Sequence, residues 1–151
     1  MIKIQTESAH SADATLLIGE AVQELRRRYP GFEANEYSAS EADQAGAAFV
    51  VARLNEAPVG CGALRPFETE EAVEIKRMFV REDYRRRGIS KQIVAFLEET
   101  ARQLGYQKVV LETGTKQPEA IQLYHLSGYH RIPNFGEIKD ETICVCFAKE
   151  L

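Results

Sequence analysis

Apolar residues recur along the chain at two spacings, and the switches between them divide it into strands and helices. The segment "IKIQT" (2–6) alternates and predicts a first strand. From Ser11 to Gly31, Leu17, Ala21 and Leu25 recur at helical spacing. Ser11 or Asp13 can cap the start, and Pro30-Gly31 ends the run. Residues 33–46 are polar and acidic and read as a loop or short helix. The runs "AAFVVARL" (47–54) and "PVGCGALR" (58–65), separated by "NEA", predict a hairpin. "EAVEIKRMFV" (71–80) predicts another strand. Strict alternation sets Val73, Ile75, Arg77 and Phe79 on one face and Glu74, Lys76, Met78 and Val80 on the other. A helix follows over 89–104, with Ile93, Phe96, Leu97, Ala101 and Leu104 inward and Gly105 at its end. "KVVLET" (108–113) predicts a strand, 117–128 a helix, 129–132 a short strand and 141–150 a last strand. The order βαβββαβαββ mixes hairpins with crossovers. It predicts one α/β domain over 1–151, a mixed sheet of about seven strands with helices on both faces.

Composition narrows the function classes. The chain has 151 residues and a net charge of −4, which argues against general affinity for nucleic acid or membranes. Its longest apolar runs, "AAFVVA" and "ICVCFA", are six residues each, too short to span a bilayer. The start, "MIKIQTESAH", has no signal-peptide core. Cys61, Cys144 and Cys146 are odd in number and lack metal-ligand spacing. They read as reduced core thiols, which suggests a cytoplasmic protein without a metal. His125 and His130 read as surface residues, and Arg26, Arg27 and Arg28 as helix-end charges.

Against this acidic background "YRRRGISKQ" (84–92) concentrates positive charge at a strand-to-helix turn. The first amides of a helix lack internal partners, and a glycine lets an anion approach the backbone. Neither GxxxxGK[ST] nor GxGxxG is present, so the turn reads as an anion site, suited to a pyrophosphate, of another kind. Residues 71–130 resemble the GNAT superfamily of N-acetyltransferases. Three elements carry the likeness: "EIKRMFV" (74–80), "RRRGIS" (85–90), in the place of Q/R-x-x-G-x-G/A, and "AIQLYHLSGY" (120–129). Ser90 stands where the family has glycine or alanine, and Gln117 where many members have asparagine.

The resemblance implies a GNAT-like mixed sheet and acetyl-coenzyme A as donor. Its pantetheine arm would lie along Met78, Phe79 and Val80. Its pyrophosphate would lie at Arg85, Arg86, Arg87, Gly88, Ile89, Ser90 and Lys91, with Gln117 nearby. Small members are often dimers, so the likeness admits a homodimer. For the chemistry, Glu74 is the first candidate base, Glu112 the second, and Tyr124 the candidate acid, since a phenol with a pKa of about 10 donates at neutral pH. The acceptor would be the primary amine of a small molecule such as an amino acid. Residues 29–45, with Phe32 and Tyr37 as pocket walls, and Arg65 and Arg77 would choose it. Arg65 or Arg77 could grip an acceptor carboxylate, or could equally form an ion pair with Glu68 or Glu70. Acetylation of a peptide or protein, or a non-catalytic acyl-coenzyme A sensor, are the alternatives.

Overall fold

A computed structural model describes residues 1–31 and 37–151. Its elements run β1 (Ile2–Thr6), α1 (Ala12–Arg28), β2 (Ala48–Leu54), β3 (Ala57–Phe67), β4 (Thr69–Val80), α2 (Ile89–Gln103), β5 (Lys108–Gly114), α3 (Pro118–Leu126), β6 (His130–Ile132) and β7 (Cys144–Glu150). Short 3₁₀ helices occupy Ala39–Asp43 and Glu82–Tyr84. The strands form one sheet in the order β1-β2-β3-β4-β5-β7-β6. The β4–β5 pair is parallel, joined through α2, and its neighbours on both sides are antiparallel. Among the described residues no helix is long and apolar enough to cross a membrane.

Local chemistry explains the element ends. The Ser11 hydroxyl accepts the Ala14 amide at 3.0 Å and caps α1. Asn55 and Glu56 both take positive φ, which suits the two-residue turn between twisted strands. Helices cover both faces, as the order of elements predicts. On one face Ala14, Leu17 and Ala21 of α1 pack on Phe49, Val51, Cys61, Ala63 and Phe79. On the other, Ile89, Ile93, Val94 and Leu97 of α2 and Tyr124 of α3 pack on Val59, Leu64, Val73, Ile75 and Phe147. Two sequence expectations shift. Leu104 falls past the end of α2 and is 45% exposed, because the helix closes one residue earlier. Residues 141–143 form a turn, and β7 starts at Cys144.

The larger correction concerns the faces of β4. Lys76 lies opposite Ala63 and Phe79 opposite Cys61, so Gly62 alone faces both Arg77 and Met78. This β-bulge adds one residue to β4 and reverses the alternation beyond it. Val73, Ile75, Met78 and Val80 therefore pack toward α2, whereas Phe79 joins the core beneath α1. Glu74 does not share a face with Met78 and Val80. Arg77 is the residue that bends, with φ +52, a conformation that costs on the order of 1–3 kcal/mol. The fully buried Cys61 thiol donates to the Arg77 carbonyl at 3.2 Å and helps to hold it there.

Gly62 also sets how closely α2 approaches the sheet. A Cβ at this position would lie 2.9 Å from both Leu97 Cδ1 and Met78 Sδ, and 3.0 Å from Ile93 Cγ2. Gly62→Ala is therefore expected to destabilise the fold by about 1–3 kcal/mol through overpacking. Urea unfolding should show a lower midpoint at unchanged m-value.

Candidate active site

Strands β4 and β5 keep their parallel register from Ala72–Lys108 to Ile75–Leu111 and then part. Beyond that point β4 still pairs with β3, so its other edge is left facing a gap. The gap opens into a cleft of about 690 Å³, within the range of small-ligand sites. Met78, Phe79 and Val80 line one wall, Glu112, Thr113 and Gly114 the other, and Gln117, Leu123 and Tyr124 of α3 close the side. Ile138, Ile143 and Cys144 border it from the segment that leads into β7.

One end of the cleft is the start of α2. Gly88 takes φ +76 as its N-cap, and no side chain caps the helix. Among the described residues the amides of Arg86, Arg87 and Gly88 make no backbone hydrogen bond, and the first helical amides add to this row of donors. A Cβ on Gly88 would meet nothing within 4 Å, so the space over these donors is open. Arg86 also takes positive φ, which turns successive N–H groups to one side.

The side chains around the turn are tied back into the protein. Arg85 donates to the Val80 carbonyl at 2.7 Å, pairs with Glu24 of α1 at 2.7 Å and stacks over the Phe79 ring. Arg28 at the end of α1 donates to the Lys116 carbonyl at 2.9 Å and pairs with Glu119 at the start of α3. The Lys116 amide donates to the Tyr29 hydroxyl at 2.8 Å. Gly114 makes room for that hydroxyl, which any Cβ there would strike. The close of α1 thus braces the far wall of the cleft.

Residues 17–129 match the family model for the acetyltransferase (GNAT) family. The chain belongs to that family. It is 35% identical over 104 residues to the IAA acetyltransferase of Azospirillum brasilense, an alignment that spans 68% of this chain and 67% of that one. Across the curated relatives it matches, the chain spans between about a third and two thirds of their length. In structure it resembles a Klebsiella pneumoniae chain described as an acyl-CoA N-acyltransferase, with a TM-score of 0.81, 26% identity and coverage of 100% and 98%. It shares its fold with a GNAT acetyltransferase of Elizabethkingia anophelis solved with acetyl-CoA bound, at a TM-score of 0.72, 23% identity and coverage of 99% and 98%.

Within the GNAT cleft, most residues singled out from the sequence come together. Met78, Phe79, Val80, Arg85, Arg86, Gly88, Ile89, Ser90, Lys91, Gln117 and Tyr124 all line it. Arg87 does not; it is exposed, with its guanidinium over the Tyr84 ring. Glu74 does not line the cleft either. It is 5% exposed and accepts from Arg65 Nη2 at 2.8 Å, while Arg65 Nη1 holds Glu41 at 2.8 Å. Arg65 therefore pairs with these two carboxylates rather than with Glu68 or Glu70. Glu112 does line the cleft. Tyr124 is 4% exposed, edge-on to Tyr129, and burial pushes its phenol pKa up, which keeps the proton on at neutral pH. Tyr37 lies in the core beneath α1, under the Arg77 guanidinium, and is not part of the cleft wall. Phe32 lies outside the described residues. Cys61 is fully buried and its thiol pKa is pushed up to about 12 by desolvation, which suits a core group and not a nucleophile.

Sequence reading missed Glu24, Arg28 and Lys76 as residues of the site, and placed Tyr29 only within the segment 29–45. Glu24 and Arg28 come from α1, whose approach depends on tertiary packing and leaves no local motif. The open backbone at Gly88 gives a direct test. Gly88→Val meets no neighbour within reach but strains the turn at φ +76, so its fold is checked by circular dichroism, and it should weaken coenzyme A binding by roughly tenfold or more in calorimetry, about 1.4 kcal/mol.

Proposed function

We propose that the chain transfers the acetyl group of acetyl-coenzyme A to the primary amine of a small molecule, with both bound at once. The parted β4–β5 edge that leads to an uncapped helix start carries this reading. The β4 edge at Met78–Val80 offers free backbone groups to an extended arm, and the amides from Arg86 to Lys91 offer donors to a pyrophosphate. The Elizabethkingia GNAT relative, which shares the fold, binds acetyl-CoA and supports the same donor here. Acetyl-coenzyme A supplies a thioester, an acyl carbon already activated toward amines.

Three tasks fall to the protein. An acceptor amine has a pKa of about 10.4 and must lose a proton before it can attack. Glu112 takes that role, because it lines the cleft, whereas Glu74 is held by Arg65 and acts by positioning that arginine. The amide of Met78 or Phe79, beside the bulge, faces the carbonyl oxygen as charge grows on it. Tyr124 holds a proton at Oη for the departing sulfur.

Tyr124→Phe removes only that donor. Turnover should fall by about 10²–10⁴-fold with coenzyme A affinity nearly unchanged, provided chemistry limits the rate. A turnover within about twofold of the parent would assign Tyr124 to packing alone.

The two carboxylates separate by their pH profiles. Glu112→Gln should lose activity near neutrality and recover at high pH, where free amine is abundant without help. Glu74→Gln should lower the rate more evenly across pH. The reverse pattern would assign the base to Glu74.

A further inference from the structure

Lys76 stands where β4 and β5 part, one residue beyond the last pair, Ile75–Leu111, and it is among the residues that line the cleft. It is 9% exposed. Among the described residues its ammonium makes no hydrogen bond and no ion pair. Other cations around the site have partners: Arg65 holds Glu41 and Glu74, Arg85 holds Glu24, and Arg28 holds Glu119. A lysine ammonium carries three donors; with its stem buried, the Lys76 ammonium reaches the cleft space, where a ligand can answer them. Desolvation lowers its pKa, opposed by Glu74 and Glu112 from a distance.

We propose that Lys76 binds the carboxylate of the acceptor, which makes the substrate an aminocarboxylate of the α-amino acid type. This rests on the acetyltransferase reading and names its acceptor class. Glu112 is the next residue of β5 after Leu111, so a carboxylate and an ammonium stand at matching positions where the strands separate. A zwitterionic ligand fits that pair, its amine toward Glu112 and its carboxylate toward Lys76. Among the described residues the charges around Lys76 are balanced, with Arg65, Lys76 and Arg77 against Glu41, Glu74 and Glu112. A zwitterion leaves that balance unchanged. An amine without a carboxyl group, protonated on arrival, adds one positive charge and leaves the lysine unpaired.

The test uses the full chain with saturating acetyl-coenzyme A and measures thiol release. The acceptors are α-amino acids, their carboxamides and the matching amines without the carboxyl group. The parent should favour the acids over the amides by about tenfold or more in kcat/KM. Lys76→Met should raise KM for the acids by about tenfold, leave KM for the amides within about twofold, and keep coenzyme A affinity. Lys76→Arg should restore part of the preference. Lys76→Gln serves in place of Lys76→Met if the latter does not fold. Equal losses on acids and amides, or no preference in the parent, would overturn the proposal. So would mass spectrometry showing an acetyl group on Lys76 after incubation with acetyl-coenzyme A alone, because the lysine would then be a nucleophile. If no acceptor is turned over, the transfer reading fails by itself. Titration of the same amino acids into the protein saturated with coenzyme A then decides the role of Lys76. Binding that is lost in Lys76→Met upholds it, and binding that is absent or unaltered ends it.

Discussion

Once Ile75 and Leu111 have paired, β4 and β5 stop sharing hydrogen bonds, and the site depends on that loss. Two buried strands rarely leave polar backbone facing a void, since unpaired groups are costly. Here the bulge at Arg77 follows the separation closely, two residues past the last pair. The extra residue increases the local twist, swings the end of β4 away from β5 and delivers Val80 to the turn from which α2 starts. The same step turns Met78 toward α2 and leaves Arg77 over Tyr37. One irregularity therefore widens the gap and aims the helix start at its end.

The charges around the cleft follow a division of labour. Arg85 is a side chain that the sequence aims at a phosphate, yet it fixes α1 against the site through Glu24, as Arg28 does through Glu119. The donors left open are main-chain amides, which cannot rotate away and carry no rotamer entropy. An acidic chain thus offers an anion a rigid set of dipoles, while exposed Arg86 and Lys91 add screened positive charge at the mouth.

Strand and helix order was legible because each element has one buried face and keeps its period over several residues. Gly88, Tyr124 and the β4 segment were legible because they sit in motifs with fixed spacing. The bulge was not. Bulges that place a residue at positive φ are easiest to suspect at glycine, but here the residue is Arg77, inside an apolar strand, with its unusual backbone stabilised by Cys61 from the neighbouring strand. Strict alternation carried through that point places Glu74 beside Met78. Everything C-terminal to Arg77 changed face as a result.

That reversal bears on which carboxylate serves the reaction. Before the bulge, Glu74 lies directly across from Arg65 on β3, and the pairing register brings the two side chains together. A carboxylate so placed has its charge answered within the sheet. Glu112 has no β4 partner in register, because the strands have parted by the time β5 reaches it. The position that loses its β4 neighbour, while keeping Cys146 of β7 across from it, is the one whose side chain borders the space a ligand fills. Lys76 occupies the equivalent position on β4. The parting of the strands therefore exposes to the cleft one anionic and one cationic side chain that regular pairing would have set side by side.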